Sequence, residues 1–312
     1  MSVQRKVVII GAGAVGMTFA FTLQQSGLCR ELILIDQDQK RLAGEVDDLN
    51  HGLFFVPPQE IRMGSYEDCA GADVIVITAG AKQAPGETRL DLVKKNAGIM
   101  RSICEQIVRH TREAVLLVVS NPVDVLTWVA LKTSGLPKNR VLGSGTVLDS
   151  ARFRYMLSRR CGVDPRNVHA YVLGEHGDSE VAVWSMIHMA GIPLTNLCRY
   201  CPNNMEEDRE RITKAVRESA YHIIEAKGAT YYAVSLAMQR IVEAIIRDEK
   251  SILTVSSFME GPYGIHEVCL SLPTIVGAGG AEKVIDPPLD INEEEALRHS
   301  AEVLKQYIRE TC

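Results

Sequence analysis

Residues 7–16 constrain this chain more than any others. A short apolar run, Val7-Val8-Ile9-Ile10, feeds directly into Gly11-Ala12-Gly13-Ala14-Val15-Gly16. The run reads as a strand and the following segment as a helix, which puts the glycines in the turn between them. At such a turn Gly11 permits the tight reversal, Gly13 lets the backbone approach a pyrophosphate, and Gly16 lets helix and strand pack closely. The helix start then offers unpaired N–H groups to the phosphates. A glycine-rich turn without a ligand has the same spelling, so the weight falls on context. Asp36 supplies it. It closes the second predicted strand twenty positions after Gly16, where a carboxylate bonds the ribose hydroxyls of NAD and repels the 2′-phosphate of NADP. The unit predicts a dinucleotide site that prefers NAD.

The rest of the first half follows the same grammar. Apolar runs at 32–35, 74–78 and 115–119 are continuous rather than alternating, as strands covered on both faces are. Helical patterns at 15–25 and 90–109 lie between them, which predicts βαβ units. Past Leu142 the character changes. Residues 146–161 read as a helix, 168–172 and 181–185 as strands, and 205–227 and 230–247 as two more helices. Strands at 252–255 and 268–272 precede a charged terminal helix from Asn292. The expected fold is α/β, with an N-terminal Rossmann doubly wound parallel sheet over 1–143 and a C-terminal α+β substrate domain over 144–312. No repeat or flexible linker separates the halves, so they should pack intimately.

A length of 312 residues is enough for two such domains. The net charge of −5 provides no positive field to hold nucleic acid or an anionic membrane. An anionic substrate must therefore be held by local cations. No stretch approaches the length of a membrane span, and the 7–10 run is too short for the apolar core of a signal peptide, so the cytoplasm is the expected compartment. Cys198 and Cys201 form a C-x-x-C, but no second pair or histidine pair completes a zinc site. We expect reduced, unrelated thiols and no metal.

Further motifs narrow the reading. The run Ala79-Gly80-Ala81-Lys82-Gln83-Ala84-Pro85-Gly86-Glu87-Thr88-Arg89 follows one predicted strand, and Asn121-Pro122-Val123-Asp124 follows the next. Then come Asp149-Ser150-Ala151-Arg152, Gly174-Glu175-His176-Gly177-Asp178 and Gly228-Ala229-Thr230. Together, in order and spacing over nearly the whole chain, they resemble the bacterial L-lactate dehydrogenases of the lactate/malate dehydrogenase family. Each residue alone has a bland alternative: His176 as a loop histidine, Arg89 as a surface cation, Arg152 as half of a helix salt bridge with Asp149.

The resemblance implies reversible, NADH-dependent reduction of pyruvate to L-lactate. Reducing a 2-oxo acid by hydride transfer puts negative charge on the carbonyl oxygen and requires a proton there, a task suited to histidine near neutral pH. By the resemblance His176 is that acid and Asp149 its carboxylate partner. Arg152 clamps the substrate carboxylate, a planar bidentate task. Arg89 polarises the carbonyl. Asn121 touches nicotinamide and substrate, Thr230 lines the pocket, Val234 packs beneath the ring, and Gln83 and Asp124 join the substrate contacts. Besides Gly11, Gly13, Gly16 and Asp36, the cofactor contacts implied are Val15, Arg41, Tyr66, Gly80, Ala81, Ser102, Val119, Asn121 and Ser144. Pro85-Gly86 falls in a segment similar to the family's mobile lid.

Substrate choice turns on Gln83. The alternatives are a malate dehydrogenase or a broader 2-hydroxy acid dehydrogenase; malate dehydrogenases carry an arginine at the matching position to neutralise the second carboxylate of oxaloacetate. A neutral glutamine leaves that charge without a counter-ion. Lys82 is adjacent, but neighbours in an extended segment point opposite ways. A non-catalytic nucleotide-binding protein is a further alternative, which loss of His176, Arg89 or Arg152 would signal; all three are present. Arg154 and His169 match the cations with which many bacterial relatives bind fructose 1,6-bisphosphate as an activator, and a homotetramer is implied.

Overall fold

The computed structural model describes residues 5–82, 86, 88–197 and 205–311, without the side chains of Arg89, Thr195, Leu197, Met205 and Glu206. The first half alternates strands and helices. In chain order these are β1 (Lys6–Ile10), α1 (Ala14–Ser26), β2 (Glu31–Ile35), α2 (Gln39–His51), β3 (Glu60–Met63) and β4 (Val74–Ile77). They continue with α3 (Arg89–Ile107), β5 (Val115–Val118), α4 (Val123–Ser134) and β6 (Val141–Gly143). The six strands pair in parallel in the order β3-β2-β1-β4-β5-β6. This is the arrangement of a dinucleotide-binding sheet, whose crevice opens beyond the carboxyl ends of β1 and β4 where the order reverses.

Each strand contributes to two cores because successive side chains point to opposite faces. Val7, Ile9, Leu32, Leu34, Val74 and Val76 enter the core on one side, and Val8, Ile10, Ile33, Ile35, Ile75 and Ile77 the core on the other. This is why the strands read as continuous apolar runs. The exception is β3, Glu60-Ile61-Arg62-Met63, which alternates because it is the sheet edge. It was not anticipated from the sequence, and neither was the three-residue β6.

The second half adds α5 (Val147–Cys161), β7 (Val168–Leu173), β8 (Val181–Met189), β9 (Ile192–Pro193), the short α6 (Leu194–Leu197), α7 (Met205–Lys227) and α8 (Tyr232–Ile246). After these come β10 (Ser251–Leu253), β11 (Ser256–Glu260), β12 (His266–Ser271), β13 (Thr274–Gly277), β14 (Gly280–Val284) and α9 (Ile291–Thr311). The expected strand at 252–255 is β10 over Ser251–Leu253; β11, which was not anticipated, begins at Ser256 and lies in a different sheet. β11 pairs antiparallel with β6, and β12 with β11, extending the first-half sheet to eight strands. Buried serines (Ser256, Ser257, Ser271) interrupt the apolar pattern there. β13 and β14 form the hairpin that the sequence reading missed.

The halves are also joined through packing. Met238, Ile241, Val242 and Ile245 of α8 enter the same core as Phe19 and Leu23 of α1. Each such buried side chain contributes roughly 1.5–3 kcal/mol of transfer free energy. Among the described residues no helix is long and apolar enough to cross a membrane.

Candidate active site

A cavity of about 540 Å³ opens at the carboxyl ends of β1, β2 and β4, lined by Gly11, Gly13, Asp36, Arg41, Tyr66 and Ser102 among others. Gly80 and Ala81 border it from the loop after β4. Gly11 has φ +110, and a Cβ there would lie 2.5 Å from the Ala79 nitrogen. A Cβ on Gly16 would lie 1.9 Å from the Gly11 carbonyl oxygen, whereas one on Gly13 would meet nothing within 4 Å. Gly11 and Gly16 thus serve the fold, and Gly13 leaves the backbone open toward the cavity. No side chain caps the N-terminus of α1 at Gly13, so its first N–H groups remain for an anion. The Asp36 carboxylate is fixed at the rim by the main-chain N–H of Ala12 (2.6 Å) and of Asp38 (2.9 Å), and Arg41 donates to the Ala12 carbonyl. These features fit a dinucleotide.

They separate two variants. Gly16→Ala should lose roughly 1–3 kcal/mol of stability in urea unfolding, because the backbone of Gly11 must move. Gly13→Ala should keep its stability yet weaken NADH binding roughly tenfold in a fluorescence titration, because the new methyl faces the pyrophosphate. Equal NADH affinity for Gly13→Ala and the parent would mean that Gly13 does not face the cofactor.

The loops after β4 and β5 are tied together by Asn96, which the sequence reading overlooked. Its Oδ1 accepts from the Ala81 N–H (2.8 Å) and its Nδ2 donates to the Asn121 carbonyl (2.9 Å). The signal was available, because Asn96 lies three positions after Val93 and four before Met100, on the buried face of α3. Thr88 starts α3 through a capping box with Asp91, placing the Arg89 backbone in the first turn. The Arg89 side chain lies outside the described residues, as do Gln83, Pro85, Cys198 and Cys201.

A second, smaller compartment of about 130 Å³ receives Val15, Val119, Asn121 and Ser144 from the cofactor side and Arg152, His176, Thr230 and Val234 from the other. His176 sits on the loop between β7 and β8, which is pinned from three directions. Gly174 exchanges two backbone hydrogen bonds with Ser271 of β12, each 2.9 Å. The Glu175 N–H donates to Ser300 Oγ of α9 (2.8 Å), and the His176 N–H donates to Asp124 Oδ2 of α4 (2.7 Å). Gly174 has φ +84, and a side chain there would strike Ser300. Asp124, expected among the substrate contacts, lies buried, and its Oδ2 accepts from the His176 main chain.

Asp149, in the first turn of α5, joins the remaining groups. Its Oδ2 lies 2.6 Å from His176 Nδ1, and its Oδ1 accepts from Arg152 Nη1 at 2.6 Å. The α5 helix places Asp149 and Arg152 three apart on one face, so the helix salt bridge and the compartment-facing arginine are the same feature. The Asp149 charge raises the affinity of His176 for its proton, against the cost of burial, to a pKa of about 9. Burial works against ionisation of Asp149, but His176 and Arg152 outweigh it and hold the carboxyl below its ordinary range. The imidazole is thus a cation at neutral pH. This ion pair stabilises the fold below pH 6.5, and its contribution is lost as pH rises through about 9.

Arg154 and His169 lie away from both compartments. Arg154 Nε donates to the Ala170 carbonyl (2.9 Å), and its guanidinium stacks over Tyr171 at 4.9 Å. The exposed ring of His169 stacks on His188 at 4.7 Å. Burial, and the nearby His188 and Arg154, lower the His169 pKa. Among the described residues no cluster of His, Cys, Asp and Glu could hold a metal.

Comparison with known proteins agrees with this geometry. Residues 5–143 match the family model of the lactate/malate dehydrogenase NAD binding domain, and residues 146–312 that of the lactate/malate dehydrogenase alpha/beta C-terminal domain. The chain is 55% identical over 306 residues to the L-lactate dehydrogenase of Acetivibrio thermocellus, covering 98% of this chain and 96% of that one. It is 54% identical to the L-lactate dehydrogenase of Thermoanaerobacter pseudethanolicus, covering 98% of each. The crystal structure of a lactate dehydrogenase from a Medee basin deep-sea metagenome library superposes with a TM-score of 0.96 at 42% identity, covering 99% of both chains. The minor L-lactate dehydrogenase of Enterococcus mundtii, in its ligands-bound form, gives a TM-score of 0.96 at 39% identity, covering 99% of this chain and 98% of that one. The chain belongs to the lactate/malate dehydrogenase family, whose members are NAD-dependent oxidoreductases.

Proposed function

We propose that the chain catalyses the reversible, NADH-dependent reduction of pyruvate to L-lactate. The observation that carries the reading is the His176–Asp149–Arg152 cluster, which presents a proton donor and a carboxylate clamp to a small compartment with apolar walls. The relatives named L-lactate dehydrogenase support the choice of substrate and hand.

Bound NADH supplies the hydride that the substrate carbonyl carbon accepts. His176 holds the proton at Nε2, since Nδ1 is committed to Asp149, and delivers it to the carbonyl oxygen as negative charge builds there. Arg152 receives the substrate carboxylate on its remaining N–H groups. Arg89 stabilises the developing oxyanion, worth on the order of 3 kcal/mol of barrier. Asn121, Asp124, Thr230 and Gln83 orient the substrate, and Asp124 also holds the His176 main chain. Gly11, Gly13, Val15, Gly16, Asp36, Arg41, Tyr66, Gly80, Ala81, Ser102, Val119, Asn121 and Ser144 hold the cofactor. A lid over residues 80–89 excludes water, which strengthens each charge interaction.

Arg154 and His169 bind fructose 1,6-bisphosphate as an activator, Arg154 as a cation and His169 as a hydrogen-bond donor whose protonation the phosphate favours. The protein works as a cytoplasmic homotetramer. Phe54 and Phe55 are 89% and 82% exposed, and Tyr232 and Leu236 of α8 stand out from the surface, as expected of faces that a second copy covers.

The test is NADH oxidation with pyruvate and with oxaloacetate, each with and without fructose 1,6-bisphosphate. Pyruvate should be preferred by roughly two orders of magnitude or more, the cost of an unpaired buried carboxylate, and the effector should lower its KM. Equal or better turnover of oxaloacetate would make malate the substrate. An effector that changes neither pyruvate KM nor assembly removes the regulatory role of Arg154 and His169.

A further inference from the structure

On the opposite side of the His176 loop lies a separate cavity of about 550 Å³, lined by Asp178, Ser179, Glu180, Trp184, Arg217 and His299 among others. The loop is the partition: His176 faces the substrate compartment, and Glu180, four residues on, faces this cavity. Helix α7 runs along both. Its residues Arg209, Thr213 and Arg217 border the cavity, and Ala220 and Ile224, continuing the same helical stripe, border the substrate compartment.

Glu180 is 7% exposed and lines the cavity, and the charges that act on its carboxyl, Asp149, His176, Arg217 and Arg152, do so without a hydrogen bond. The other acids here are committed. Glu175 accepts from the N–H and hydroxyl of Ser179, and Glu293 of α9 accepts from Trp184, Ser185 and Asp290. Arg217 reaches the Glu180 carbonyl rather than its carboxyl (3.5 Å). A largely buried carboxyl destabilises a fold once ionised, and Glu180 stands four residues from His176 on the loop that carries it.

We infer that Glu180 is a positioning residue for the reaction: its ionisation, exchanged with solvent through the open cavity, adjusts the charge on His176 from behind the loop. The inference rests on His176 being the proton donor. Burial pushes the Glu180 pKa up to about 8, assisted by the Asp149 charge and opposed by His176, Arg217 and Arg152. Of the remaining charged groups around it, Asp178 belongs to the same loop, Arg209 to α7, and His299 to α9. Glu180 is therefore a neutral acid at pH 7 and a carboxylate at pH 9. In the charged form it strengthens the hold of His176 on its proton.

The experiment is Glu180→Gln in the full chain, with His176 followed by NMR titration and kcat/KM for pyruvate reduction followed against pH. The His176 titration should move down by roughly half to one unit. The basic limb of kcat/KM should follow, giving a roughly three- to tenfold loss at pH 9.5 and less than twofold at pH 6. An unmoved His176 titration, or an equal loss at every pH, overturns the inference. If His176 moves and the kinetic limb does not, Glu180 acts as inferred and His176 is not the proton donor. Stability gives an independent check. The Glu180 pKa is raised on folding, so its cost grows from pH 4.5 to about pH 8. Glu180→Gln should raise Tm at pH 8 and leave it unchanged at pH 4; an equal change at both overturns the inference.

Discussion

Replacing Asp149 by asparagine is expected to lower kcat/KM for pyruvate reduction by roughly two to four orders of magnitude at pH 7, with the chain still folded. The magnitude follows from removing one partner of a buried ion pair, about 3–5 kcal/mol, at 1.36 kcal/mol per tenfold. The sign with pH follows from the same geometry. In the parent, the Asp149 charge keeps His176 protonated up to about pH 9, so reduction should be level below that and fall above it. Without that charge, burial is opposed only by the smaller pull of Asp124 and Glu180, so the fall begins well below pH 9. The deficit should widen from pH 6 to pH 9 and then stay constant. Arg152 also loses its 2.6 Å partner, so KM for pyruvate should rise as well. A variant whose kcat/KM still turns over near pH 9 would show that Asp149 does not hold the charge on His176.

That expectation was half legible in the sequence. The identities of His176, Asp149 and Arg152 came from a resemblance in motif and spacing, but nothing in their positions along the chain required them to meet. They meet because α5, the β7–β8 loop, α4, β12 and α9 converge, and three of those contacts join residues more than fifty positions apart. The strands of the nucleotide-binding sheet were legible for a local reason. Burial on both faces leaves a continuous apolar run, and Gly11 and Gly16 mark a turn whose close contacts a side chain would break. Where a strand had only one covered face (β3), was three residues long (β6) or carried buried serines (β11), the pattern failed and the strand was missed. Asp124 shows the remaining limit. The N-P-V-D motif identified it as important, but its task, accepting the His176 N–H, depends on a contact 52 positions away.

The second large effect concerns substrate choice and follows from the charge balance of the substrate compartment. Among the described residues, the cations bordering the substrate compartment are Arg152 and His176; Ala220, Ile224, Val234 and Ala237 form apolar wall. Lys82 is exposed and does not border it. Oxaloacetate placed with one carboxylate on Arg152 leaves its second opposite apolar side chains, at a cost of roughly 3–5 kcal/mol for an unpaired buried charge. A guanidinium at position 83 removes that penalty and offers a bidentate partner. Gln83→Arg is therefore expected to raise kcat/KM for oxaloacetate by roughly two orders of magnitude or more. It should lower kcat/KM for pyruvate, because the added cation then faces a methyl group and is itself left unpaired. Steady-state kinetics with both substrates, at saturating NADH and with fructose 1,6-bisphosphate present, measure the ratio directly. Reversal of the preference identifies Gln83 as the selector. A variant that still strongly prefers pyruvate would place the selection in the apolar walls contributed by α7 and α8, where the same measurement on Ala220 and Ala237 variants would find it.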